Sequence, residues 1–144
     1  MGFRRVLIAL DESAAAAHAS DVGVELARAL GADAAFVYAV DPLAAAAPDS
    51  GVPSAEILER DAREGKDLLA RNAAQSKLEP PPAQFLRTGR PAHEIIGVAG
   101  EWHADVIVMA SHGRGGVTRL LMGSVAEGVM RHAPCPVLVV RAGT

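Results

Sequence analysis

The sequence predicts an α/β protein, a five-stranded parallel sheet sandwiched between helices. Two observations carry this. Short apolar runs of strand length alternate along the chain with longer stretches whose apolar residues recur every three or four positions. Runs such as 6–10, 106–110 and 137–140 are apolar throughout, the pattern of strands buried on both faces of a parallel sheet. Strands separated by helices at this spacing imply right-handed crossovers.

Residues 6–10 run apolar up to Asp11 and form the first strand. From Ser13 the period changes: Ala19, Val22, Leu26, Ala29 and Leu30 recur at helical steps, and Gly31 is the stop. Residues 34–40 make the second strand, with Phe36, Val37 and Tyr38 supplying branched and aromatic bias. Residues 41–53 hold three prolines and the four-alanine run 44–47, and read as a surface loop too punctuated for a stable helix. A second long helix begins at Ser54, sets Ile57, Leu58, Ala62, Leu68 and Leu69 on one side, and fades near Lys77 before Pro80-Pro81-Pro82. Residues 83–88 are the third strand, and Pro91 suits the first position of a helix through Ile95, Ile96 and Ala99. Residues 105–110 are the fourth strand. A glycine-rich loop, 111–123, leads to a helix from Ser124 to about His132, and 136–141 make the fifth strand.

A chain of 144 residues has the size of one domain, here 1–144, and folding at that length buries roughly 68 to 70% of the unfolded surface. Half the residues are hydrophobic and 22% are charged, which excludes a disordered chain. One Trp, one Tyr and three Phe provide no base-stacking platform, and a net charge of −3 offers no phosphate-backbone footprint, so nucleic acid is excluded as a partner. The single Cys135 rules out an intramolecular disulfide and a CxxC zinc site, and fits a reducing compartment. No apolar run approaches the ~18 residues of a membrane span. Arg4 and Arg5 precede too short an apolar run for a signal peptide, and Val6 stands where a myristoylation signal needs Ser or Thr. The expected location is the cytoplasm, away from membranes.

In parallel sheets ligands collect at the carboxyl ends of strands, which points to Asp11, Val40 and Ser111 onward. The stretch Ala110-Ser111-His112-Gly113-Arg114-Gly115-Gly116, followed by Gly123-Ser124, joins a strand end to a helix start. Exposed N–H groups and the helix dipole favour an anion there, and glycines let a phosphate approach the backbone. Neither a P-loop nor a GxGxxG fingerprint is present. Ser124 and Glu127 also spell a capping box, S-x-x-E, which would satisfy the helix terminus without any ligand. Spacing leaves both readings open; the loop, about twice the usual ~2 to 6 residues, and its Arg114 and Arg119 favour a ligand.

The pattern Ala110-x2-Gly113-x9-Gly123-Ser124, then Pro134-Cys135-Pro136-Val137-Leu138-Val139-Val140, resembles the universal stress protein family, whose nucleotide-binding members carry G-x2-G-x9-G-[ST]. The opening Val6-Leu7-Ile8-Ala9-Leu10-Asp11-Glu12-Ser13 resembles that family's first strand and acidic turn. The resemblance implies a flavodoxin-like, Rossmann-like three-layer sandwich with strand order 3-2-1-4-5. It also implies a stress-response dimer that senses ATP, with or without Mg2+, or else AMP or cyclic AMP. Asp11 would bond the ribose, Ala9 and Val40 would flank the base, and Gly113, Arg114, Gly123, Ser124 and Val125 would hold the phosphates. This chain departs from the motif at Ala110. An alanine costs little in an ordinary strand and on the order of 1 kcal/mol where φ is positive. The last strand, with Val137, Leu138, Val139 and Val140, would be an edge that pairs with its copy in a homodimer. The alternative is a nucleotide-free dimeric interaction module in which the loop is purely structural.

Asp11 and Ser13 would also simply cap the turn and the helix that follows. A receiver domain of two-component signalling shares the topology, but would need an Asp after the third strand and a Lys after the fourth. Thr88-Gly89-Arg90 and Ser111-His112-Gly113 stand in those places. His112 is placed either to touch a phosphate or to be solvated in a polar loop. His18, His93, His103 and His132 are scattered without ligand spacing, so no metal site is expected. Cys135 and Trp102 read as packed residues. No general base or nucleophile beyond His112 emerges, so the expected role is binding, with ATP hydrolysis slow at most.

Overall fold

The computed structural model describes residues 2–45, 51–112 and 122–141. Its elements, in chain order, are β1 (Arg5–Leu10), α1 (Ala14–Leu30), β2 (Asp33–Val40), α2 (Pro42–Ala45), α3 (Ser54–Ser76), β3 (Ala83–Thr88), α4 (Pro91–Trp102), β4 (Val106–Ala110), α5 (Ser124–His132) and β5 (Val137–Val140). All five strands run parallel in one sheet of order β3-β2-β1-β4-β5, the flavodoxin-like arrangement. In the central register Leu7 stands opposite Ala35 on one side and Ile107 on the other.

Alternation along the strands sorts the core into two layers. Ile8, Leu10, Phe36, Tyr38, Val40 and Val108 pack with Ala27 of α1 and Leu69 of α3. Leu7, Ala9, Ala35, Val37, Ile107 and Met109 face the other way, toward Ile95 and Val98 of α4 and Ala126 and Val129 of α5. Every residue of β4 is buried, as a strand covered on both faces must be.

Local chemistry fixes the ends. Ser13 caps α1 by accepting from Ala16 N at 3.0 Å, and Gly31 closes the helix at φ 63, where a residue without Cβ is unstrained. At the amino ends of the strands, Asp105 Oδ2 accepts from the N–H groups of Arg4 (2.8 Å) and Arg5 (2.9 Å), tying β1 to β4. Arg5 in turn donates to the carbonyl of Trp102 at 2.6 Å and lies over its ring. Trp102 is a packed residue, as expected.

One expectation is corrected. Residues 41–53 are not wholly loop, since Pro42–Ala45 forms a single helical turn. Pro42 occupies the first helical position, where its missing N–H has no acceptor to lose, and Asp41 Oδ1 accepts from Leu43 N at 3.0 Å. A proline read as a breaker here starts a helix; residues 46–50 lie outside the described residues.

Candidate functional site

At the carboxyl ends of β1 and β4 the chain diverges. After β1 it returns through α1 over one face of the sheet, and after β4 it returns through α5 over the other. The gap left at such a switch in strand order is where α/β sheets bind ligands. A cavity of about 450 Å³ opens there. Six residues singled out from the sequence line it: Ala9, Asp11, Ala110, Gly123, Ser124 and Val125. Gly113 and Arg114, the other two expected phosphate contacts, lie outside the described residues.

Val40 is the exception. It is fully buried in the layer against α1 and α3, on the same side of β2 as Phe36 and Tyr38. Its neighbours Ala39 and Asp41 point into the cavity in its place. Alternation is the reason, since two residues adjacent in a strand face opposite sides. Pro91, Ile95 and Met109 complete an apolar wall the sequence reading had not connected with the site. Ile95 and Met109 carry no local signal beyond that of core residues.

The start of α5 forms one side of the cavity. Gly123, not Ser124, is the residue before the helix, at φ −64 and ψ 157, and no side chain caps it. The capping box that S-x-x-E spells does not form. The helix begins one residue earlier than S-x-x-E requires, and Glu127 instead pairs with Arg131 at 2.9 Å. The first helical bond runs from Glu127 N to the carbonyl of Gly123 at 3.0 Å. The N–H groups of Ser124, Val125 and Ala126 therefore have no acceptor within the helix, and they sit at the positive end of its dipole. Gly123 is itself held by its N–H on the Ser111 carbonyl at 2.8 Å, and Ser111 N donates to Val140 at 2.9 Å. The helix start is thus anchored to the end of the sheet.

Ala110 continues β4 opposite Val140. Among the described non-glycine residues only Lys77 and His103 have positive φ, so alanine carries no left-handed strain here. Across the cavity Asp11 Oδ1 accepts from Ser13 N at 2.7 Å, the capping turn the sequence allowed. Asp11 also lines the cavity. His112 is half-buried rather than solvated: Nδ1 lies 3.3 Å from Ser111 Oγ, while Nε2 is buried and has no partner among the described residues. Cys135 is partly buried, and burial followed by the nearby Asp105 pushes its thiol pKa up, away from reactivity.

Behind the Asp11 turn lies a group the sequence reading missed. The hydroxyl of Tyr38 donates toward Glu12 Oε1 at 2.9 Å and Asp61 Oδ1. Carboxylate oxygens of Glu12, Asp61 and Glu64 lie within 4.8 Å of one another. Burial, then the two acceptors, raises the Tyr38 pKa and keeps it a neutral phenol. Histidine spacing could not reveal this cluster, which joins three elements.

A profile of the Universal stress protein family matches residues 2–141. The chain belongs to the universal stress protein family. Among family members, a universal stress protein of Thermus aquaticus is 37% identical over 96% of this chain and 99% of its own. The solved structure of universal stress protein UspA from Lactobacillus plantarum superposes with a TM-score of 0.84 at 26% identity, covering 98% of this chain and 99% of that one. Two more distant members share the fold. One is a universal stress protein solved in complex with cAMP, with a TM-score of 0.72 at 20% identity over 99% of this chain and all of that one. The other comes from Archaeoglobus fulgidus in complex with dAMP, with a TM-score of 0.62 at 23% identity over 97% of this chain and 99% of that one.

Proposed function

We propose that this chain is a single-domain cytoplasmic sensor that binds an adenine nucleotide in the β1/β4 cavity, with ATP and Mg2+ the leading ligand and AMP or cyclic AMP the alternatives. The observation that carries the reading is the uncapped first turn of α5, whose residues line a cavity with a mainly apolar wall and two carboxylate residues, Asp11 and Asp41. A phosphate suits the first and a base suits the second. Ala9, Ala39, Ile95 and Met109 offer the base an apolar slot, and Asp11 offers the ribose hydroxyls an acceptor. Ser124 and Val125 hold the phosphate by main-chain N–H groups and the Ser124 hydroxyl, Gly123 lets it approach the backbone closely while its own N–H stays on the Ser111 carbonyl, and Gly113 and Arg114 are added from the loop. Adenine nucleotides in two members of the same fold support this choice of base.

Two copies of the chain pair through Val137, Leu138, Val139 and Val140 of β5. That strand is the sheet's edge, and Leu138 is 40% exposed on it. Among the described residues no helix is long and apolar enough to cross a membrane.

The test is a calorimetric titration of ATP and Mg2+ into protein shown to be nucleotide-free by denaturing extraction. Saturable binding is expected, and Gly123→Val abolishes it while the circular dichroism spectrum is kept, because φ −64 and ψ 157 admit any residue. No binding at millimolar nucleotide would leave the nucleotide-free interaction module as the reading. Normal affinity in Gly123→Val would contradict the phosphate assignment.

A further inference from the structure

Asp11 is followed by Glu12, and Glu12 is held from behind. The Tyr38 hydroxyl stands 2.9 Å from Glu12 Oε1 and within hydrogen-bond reach of Asp61 Oδ1 on α3. The tyrosine is buried, 1% exposed, with its ring between β2 and α3. Gly65 of α3 makes room for it: a Cβ on that glycine would fall within 2.9 Å of three ring carbons. A glycine in a helix interior gives up stability relative to alanine. A phenylalanine at position 38 would fill the same space between sheet and helix, so packing alone does not call for the hydroxyl. What the hydroxyl adds is a shared hydrogen between two carboxylates on different elements, the β1–α1 turn and α3.

We propose that Tyr38 is a positioning residue for the nucleotide site, its hydroxyl fastening Glu12 to α3 and so fixing the turn that presents Asp11 to the ribose. The inference rests on the nucleotide reading above and adds to it a residue that lines no part of the cavity. The coupling is short. Asp11 Oδ1 is engaged by Ser13 N two residues on, so Glu12 is the middle of a tight turn, and anchoring its carboxylate restrains the turn that carries Asp11. Without the hydroxyl, Glu12 and Asp61 face each other with no hydrogen between them, and like charges at that range repel. Glu12 and Asp61 keep further contacts of their own, so the change loosens the turn without dismantling the fold.

The test compares ATP with 2′,3′-dideoxy-ATP, each with Mg2+, by calorimetry on the full chain and on Tyr38→Phe. The wild-type protein is expected to bind ATP more tightly than the analogue, through the ribose hydroxyls. Tyr38→Phe is expected to lose about fivefold in ATP affinity, the worth of one ordinary hydrogen bond, and to bind the analogue as the wild type does. A role in packing alone would weaken both nucleotides equally, and that result, or an unchanged ATP affinity, overturns the proposal. Glu12→Ala, at an exposed position outside the core, gives the same pattern if the proposal holds and supplies the answer should Tyr38→Phe fail to fold; unchanged ATP preference in Glu12→Ala overturns it. Wild-type protein that binds both nucleotides equally removes the ribose contact and this inference with it. Wild-type protein that binds neither instead overturns the nucleotide reading on which it stands.

Discussion

Replacing Gly65 by alanine separates helix propensity from packing at one position. In an unobstructed helix the change stabilises by about 0.5–1 kcal/mol, because alanine loses less backbone freedom on folding. At Gly65 the new Cβ would fall within 2.9 Å of Cγ, Cδ1 and Cε1 of Tyr38. That ring cannot step aside, since it is buried against the sheet and its hydroxyl is tied to Glu12 and Asp61. Overpacking of this kind costs about 1–3 kcal/mol, so the net result is destabilisation of up to about 2.5 kcal/mol. Gly97 supplies the control: it lies exposed in the interior of α4, and a Cβ added there would meet nothing within 4 Å. Gly97→Ala should stabilise by about 0.5–1 kcal/mol. Urea unfolding followed by circular dichroism reads both changes as opposite shifts in midpoint at constant slope. Equal stabilisation of the two variants would refute the claim that α3 is cut away to seat Tyr38.

Three further outcomes are expected. Tyr38 is the sole tyrosine, and its folded pKa is raised above the unfolded value near 10 by burial and by its two carboxylate partners. Its contribution to stability is therefore complete below about pH 10 and declines above it, at up to about 1.4 kcal/mol per pH unit, while Tyr38→Phe lacks that slope in urea midpoints measured across the same range. Ala110→Val adds two methyl groups to a cavity wall within a strand that favours valine, so ATP affinity drops at least about tenfold with the fold intact; calorimetry showing wild-type affinity would remove Ala110 from the site. Leu138→Lys places a charge on the exposed edge of β5 and should shift the protein from dimer to monomer by light scattering, and an unchanged mass would exclude that edge as the interface.

Much of the architecture is legible in single segments. Residues 6–10 and 106–110 are apolar throughout because both faces of those strands are covered, and that composition needs no partner to be read. Which strands lie side by side is another matter. Periodicity carries no adjacency, and the order of the sheet came from the family resemblance. The cavity lining was legible where it depends on position along the chain, as with Asp11 after β1 and Gly123-Ser124 before α5. Side-chain direction was not legible. Val40 shares its side of β2 with Tyr38, so the cavity receives Ala39 and Asp41 instead. The S-x-x-E match at Ser124 failed by a single residue of register, because Gly123 already supplies the first helical carbonyl. The Tyr38, Glu12 and Asp61 cluster is assembled from three elements, and Gly65 gains its meaning only once α3 lies on β2.

Backbone amide NMR during a titration with ATP and Mg2+ addresses the proposed phosphate-binding role of α5 most directly. The N–H resonances of Ser124, Val125 and Ala126 should move most, together with those of the Asp11 to Ser13 turn, and saturate along one isotherm. Saturation with those amides unmoved, and shifts confined to another surface, would contradict it.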